Sequence, residues 1–135
     1  MANRVTKAEN GGGSSGGAVT INFIIDGGGS AVTSGLKGYV QIPYNMTITG
    51  WQLFADQSGN AEIDVWNTTY GNFPPNSGNS IAGSEKPTLT SQQNNEDLNL
   101  TTWTTAVVDG DVLAFNVDNA SSVQRLTVSI IGVRT

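Results

Sequence analysis

The sequence predicts an all-β domain, an antiparallel two-sheet β-sandwich of jelly-roll-like topology, preceded by an extended N-terminal arm. Three observations predict it. Apolar and polar residues alternate along most of the chain. Clusters of Gly, Asn, Asp and Ser interrupt that alternation at intervals of about 8 to 12 residues, and no window of about 11 residues carries apolar side chains at helical spacing. A closed barrel is the next architecture the same pattern allows.

Residues 1–10 are polar with both signs of charge, and residues 11–17 (GGGSSGG) form a Gly/Ser linker that cannot hold secondary structure alone. The expected division is an arm over 1–17 and a β-domain over 18–135. A frayed terminus is the plainer reading of the same arm. From Ala18, residues Val19, Ile21, Phe23 and Ile25 share one face of a first strand, which the Gly-rich turn DGGGS (26–30) ends. That turn lacks the Lys and following helix of a phosphate-binding loop. Residues 36–43 make a second strand and residues 46–55 a third. The parity of Met46 and Ile48 differs from that of Trp51, Leu53 and Ala55, so a bulge is expected at Gly50.

DQSGN (56–60) reads as a hairpin turn into a fourth strand, in which Ala61, Ile63 and Val65 face inward and Glu62, Asp64 and Trp66 face outward. Residues 68–84 contain two adjacent prolines, three glycines and several asparagines, and read as a long loop. Weaker strands are expected at 88–90 and 98–104, and clear ones at 112–117 and 123–133. VDGD (108–111) and DNA (118–120) supply the turns between them. The total is about eight strands, enough for a domain that buries roughly two thirds of its unfolded surface without staples.

Composition narrows the chemistry. Only 13% of the 135 residues are charged, against roughly 25% in ordinary soluble domains, so the polar surface is built from amides and hydroxyls. A net charge of -5 with six scattered basic residues argues against nucleic acid as a partner. No apolar stretch is long enough to span a membrane, so no membrane partner is expected. The absence of Cys and His removes disulfides, Cys/His metal sites and Ser-His-Asp catalysis together, and no cofactor is expected. The start MANRVTKAEN lacks the apolar segment of a signal peptide. The tripeptides at Asn45, Asn67 and Asn99 that match the glycosylation pattern are therefore read as a strand surface rich in Asn and Thr.

Three constellations merit weighing. Glu62 and Asp64 lie two apart on one strand face, about 7 Å from each other, within the range of an acid-base pair. On an outward face both are expected to be solvated, which leaves no catalytic role. Asp56, Ser58, Asn60 and Glu62 alternate like half of a calcium loop but lack its distal Glu, so a plain turn is expected. Trp66, Tyr70 and Phe73, with Asn67 and Asp64 beside them, are the candidate ligand or partner surface. Rings among amides suit glycans and protein interfaces alike, unless the loop folds back and buries them. Trp51 has core parity, whereas Trp103 either caps the sheet or faces a neighbouring subunit.

The run INFIIDGGGSAVTSGLKGYVQIPYNMTITGWQLFADQSGNAEIDVWNTTYGNFPP, then SIAGSEKPTLTS and WTTAVVDGDVLAFNVDNASSVQRLTVSI, resembles a module of tailed-bacteriophage virion proteins. It covers about residues 19–134. In fibre-like relatives the module commonly lies at the C-terminal end behind a Gly-rich segment. The resemblance implies a non-enzymatic virion structural protein, made in the host bacterial cytoplasm and displayed on the virion surface. Residues 1–17 are too few for a shaft, so the expectation is either a free-standing subunit attached by its short arm, similar to capsid decoration (cement) proteins, or the terminal piece of an assembly built from other chains. In the decoration role Asn3, Arg4, Val5 and Lys7 of the arm would bind the major capsid protein, or tail or fibre proteins, and the β-domain would form a homotrimer. The alternative it implies is the receptor-binding tip of a tail or head fibre, with residues 66–73 binding a cell-surface glycan.

Overall fold

The structure, a computed structural model, describes residues 16–135. Its elements are β1 (Ala18–Asp26), β2 (Gly35–Gln41), β3 (Met46–Thr68), β4 (Thr88–Asp97), β5 (Ala106–Val107), β6 (Val112–Ser121) and β7 (Arg125–Arg134). Two single 3-10 turns, Tyr70–Asn72 and Ser77–Asn79, interrupt the loop between β3 and β4. Every pairing is antiparallel, and the strands form one sheet in the order β1-β7-β3-β6-β2, with β4 and β5 also paired to β3. The all-β antiparallel expectation is met. Instead of two separate sheets, however, the described residues form a single sheet curled into a half-barrel.

The curl is made by β3, 23 residues long, which replaces the two strands and hairpin turn expected over residues 46–67. Its first half pairs with β7 on one side and its second half with β6 on that same side, while β4 follows the opposite side of both halves. Residues 56–60 do not fold back because their polar groups bind another turn. The Asp56 carboxylate accepts from the Gln124 and Arg125 amides at 2.8 and 3.0 Å, and the Gln57 amide donates to the Ser122 carbonyl. Gly59 fits against the Ser121 carbonyl, where a Cβ would stand only 2.6 Å away. Register shifts between Phe54 and Ala61 provide the bend.

Other boundaries moved for similar reasons. Residues 118–120 continue β6 because Glu62 and Ala61 pair with Asn119 and Ala120, so the turn falls at 122–124. Residues 98–104 are not a strand; the Thr101 and Thr102 amides and the Thr102 hydroxyl donate to Glu85, the Asn99 amide to Asp97 and the Thr104 amide to the Ile81 carbonyl. Seven strands result rather than eight. The bulge expected at Gly50 is present as a register shift between Ile48 and Gly50. The DGGGS turn is closed by the Gly28 amide donating to Asp26 Oδ1 at 2.8 Å, with Gly28 and Gly29 at positive φ.

The core lies inside the curl. Ile21 and Ile25 of β1, Ile48, Trp51, Leu53, Ile63 and Val65 of β3, Leu89 of β4, Leu113, Phe115 and Val117 of β6, and Leu126, Val128 and Ile130 of β7 are all buried there. The alternation in the sequence thus sorts correctly on both halves of β3. Trp103 is buried as well, which answers the question its Thr-rich setting left open among the described residues.

Candidate functional site

An exposed aromatic groove lies on the outer face where β2, β6 and the end of β3 meet. Period-two alternation turns Val40 toward the core and its neighbours Tyr39 and Gln41 outward, and Gln41 pairs with Val112 of β6. Val112 pairs in turn with Thr68, the last residue of β3. Just beyond, Thr69 caps the Tyr70–Asn72 turn by accepting from the Asn72 amide at 3.3 Å, which brings Tyr70 and Phe73 over the sheet. The Phe73 ring meets Tyr39 edge-on, with centroids 4.7 Å apart and planes at 66°. Tyr39, Gln41, Tyr70, Phe73 and Val112 line an open groove of about 550 Å3. Tyr70 is 80% exposed, Phe73 46% and Tyr39 42%. The lining holds three rings and one amide and carries no carboxylate or cation, so it suits a neutral or apolar partner.

Of the surface expected from the sequence, Tyr70 and Phe73 are in this groove, whereas Trp66, Asn67 and Asp64 serve other contacts. Asp64 is buried, contrary to the solvated position expected for it. Residues 80–87 run beside the second half of β3, with the Ile81 amide on the Val65 carbonyl and the Ile63 amide on the Pro87 carbonyl, and this strip covers Asp64. The Asp64 carboxylate accepts from Ser80 Oγ at 2.6 Å, the Val65 amide at 2.9 Å and Trp66 Nε1 at 3.0 Å. Lys86 Nζ lies 3.8 Å from it and 2.7 Å from Asp118 Oδ2. The Asp118 hydrogen bond, with the Asp64, Asp118 and Glu62 charges around it, raises the Lys86 pKa against the opposing effect of burial. Trp66 is half-buried on Asp64. Asn67 donates to Asp111 Oδ2 at 3.2 Å, while its buried Oδ1 has no hydrogen-bond partner.

Two further predictions from the sequence resolve geometrically. Asp56, Asn60 and Glu62 do not converge: Asp56 holds the 124–125 amides, Asn60 bonds Ser121 and the Ser91 amide, and Glu62 accepts from Asn119. Asn3, Arg4, Val5 and Lys7 lie outside the described residues. The last two linker residues are paired to β7, with the Gly16 amide on the Arg134 carbonyl at 2.7 Å and the Arg134 amide on the Gly17 carbonyl at 2.8 Å.

Sequence reasoning missed Tyr39 and Gln41, although their outward parity beside Val40 was a usable signal. It also missed Glu85, for which nothing local gives a signal. The Glu85 carbonyl accepts from both Trp51 Nε1 and Trp103 Nε1, at 3.0 and 2.9 Å. Its carboxylate accepts from the Thr102 hydroxyl and amide and from the Thr101 amide, which lowers its pKa to about 2. Glu85 therefore ties the loop over 98–105 to the core. No family model matches this chain, and no curated protein matches it either.

Proposed function

We propose that this chain is a non-enzymatic structural protein of a phage virion surface, a decoration protein held by residues 1–17 and by the exposed aromatic groove. What supports the reading is that the groove and the point where residues 1–15 join the domain share one end of the sheet. The Gly16 amide bonds Arg134, Thr135 bonds the Asn45 carbonyl, and the Asn45 side chain accepts from the Asp109 amide. Two residues on, the Asp111 carbonyl accepts from Ile42, next to Gln41 of the groove. An anchoring segment and an uncharged aromatic groove on one pole suit attachment to a shell by burial of apolar area. The net charge of -5 would limit non-specific adhesion elsewhere. The two-layer, jelly-roll-like description belongs to the same proposal: a sheet bent on β3 would present its two limbs as the layers of a sandwich.

The test is the copy number per particle, by quantitative mass spectrometry of purified virions, normalised to the major capsid protein. The decoration reading expects copies in proportion to the capsid subunits, with incorporation lost when residues 1–15 are deleted and reduced in Phe73→Ala. A few copies per particle would overturn it in favour of the attachment reading, in which the rings of Tyr39, Tyr70 and Phe73 stack on a host glycan.

A further inference from the structure

The opposite limb carries a second surface. Across β1, β7, the first half of β3 and β4, the residues of outward parity align in rows: Ile24, Thr127, Phe54 and Asn94 in one, and Asn22, Gln52 and Glu96 in the next, where Ser129 is buried with its hydroxyl donating to Asn22. Phe54 stands among amides and hydroxyls with 44% of its surface exposed, although nothing in the strand pattern requires an aromatic residue there. It borders two depressions. One, of about 350 Å3, is lined by Gln52, Phe54, Asn94, Asn95 and Glu96; the other, of about 210 Å3, adds Ala55, Asp56, Arg125 and Thr127 to the opposite side of the ring. Gln52 Nε2 donates to Glu96 Oε1 at 2.7 Å, and the Asn95 amide group donates to the Thr88 carbonyl at 2.8 Å, so the polar rim is held in place before any ligand arrives.

We infer that the Phe54 recess is a binding site for a neutral oligosaccharide. A sugar ring offers an apolar C–H face and a periphery of hydroxyls that both donate and accept, and the recess offers the complement of each. The Phe54 ring takes the face, while Gln52, Asn94 and Glu96 supply amide donors and amide and carboxylate acceptors around it. Other partner chemistries fit less well. The carboxylate of Glu96 and the scarcity of cations disfavour a polyanion, and a rim of amides is poor cover for a lipid tail. The recess is also remote from the anchoring pole. Phe54 shares its row with Ile24, about 20 Å along β1 from Ala18 at a strand rise of roughly 3.3 Å per residue. Only this outward orientation rests on the anchoring proposed above; the chemistry of the recess does not depend on it.

The test uses the full-length purified protein, free of virions. An array of neutral oligosaccharides built from hexoses and N-acetylhexosamines identifies the best binder, and titration calorimetry then measures its Kd for the wild type and for Phe54→Ala, Glu96→Gln and, as a control at an exposed apolar residue outside both surfaces, Val108→Ala. Phe54→Ala is expected to weaken binding by about tenfold or more, the effect of losing one stacking surface, and Val108→Ala to leave it unchanged. Thermal unfolding of each variant separates lost binding from lost folding. The inference is overturned if no oligosaccharide binds, or if a natively folded Phe54→Ala binds like the wild type. It is also overturned if Phe54→Ala alters only the oligomeric state seen by sedimentation. Copy number in virions carrying Phe54→Ala reads the anchoring proposal separately, since that variant should still be incorporated.

Discussion

Phe23 and Phe115 stack with ring centroids 4.5 Å apart and planes within 5°, although β7 and β3 lie between their strands in the sheet. Their contact spans the inside of the curl, and Gly38 of β2, at the far edge of the sheet from β1, lies close enough to Phe23 that a Cβ there would stand 2.9 Å from the ring. Phe115→Ala should therefore destabilise the domain by about 3–5 kcal/mol, as for other fully buried Phe residues. A double-mutant cycle with Phe23→Ala should give a coupling of roughly 0.5–1.5 kcal/mol in urea unfolding. Gly38→Ala should cost about 1–3 kcal/mol, since the added methyl must displace the stacked ring.

Glu85 makes stability fall in acid. Its folded pKa, about 2, lies below the ordinary value of 4.5, so the native state favours the ionised form. The resulting stabilisation is fully present above about pH 4.5 and is lost as pH falls toward 2. Asp26 and Asp56, whose pKa values are lowered chiefly by backbone amides, change stability in the same direction. In melting curves across that range, Glu85→Gln should be less stable than wild type at neutral pH, with the difference shrinking toward pH 2. Near-neutral tryptophan fluorescence should shift in the variant, because the Glu85 carboxylate holds Thr101 and Thr102, the residues that lead into the buried Trp103.

Asp64→Ala removes the acceptor of three hydrogen bonds from a buried position and leaves Trp66 Nε1, Ser80 Oγ and the Val65 amide without it. A loss of about 1–3 kcal/mol is expected in urea denaturation. Protection of the Ile63 and Ile81 amides from hydrogen exchange should fall with it, because both tie β3 to the strip that covers Asp64.

Tyr70→Ala should leave unfolding within about 0.5 kcal/mol of wild type, since the ring is 80% exposed and makes no hydrogen bond through its side chain among the described residues. Phe73→Ala should cost somewhat more, through its edge contact with Tyr39. A stability loss above about 2 kcal/mol for Tyr70→Ala would show that the groove is part of the fold and not a free surface.

What was legible in the sequence was local. Alternation identified the inward faces of β1, both halves of β3, β6 and β7, because in a strand the parity of a side chain decides its face whatever the partner strand is. Gly50 betrayed a bulge by the change of parity around it, and Tyr70 and Phe73 were identified as candidate surface residues because the Pro- and Asn-rich loop around them has no periodicity. Tertiary structure alone decided the rest, wherever a group's partner is distant in sequence. Asp56 looks like a turn residue, but its carboxylate meets amides at 124 and 125, and that contact turns an expected hairpin into the bend of one long strand. Asp64 has outward parity, yet Ser80 and Lys86 arrive from the following loop and bury it. Tyr39 joins Phe73 across 34 residues of chain, and Phe54 acquires its amide rim from β4. Parity sets which way a side chain points, whereas what it meets there depends on how the sheet curls, and the curl depends on contacts that no single stretch of sequence contains.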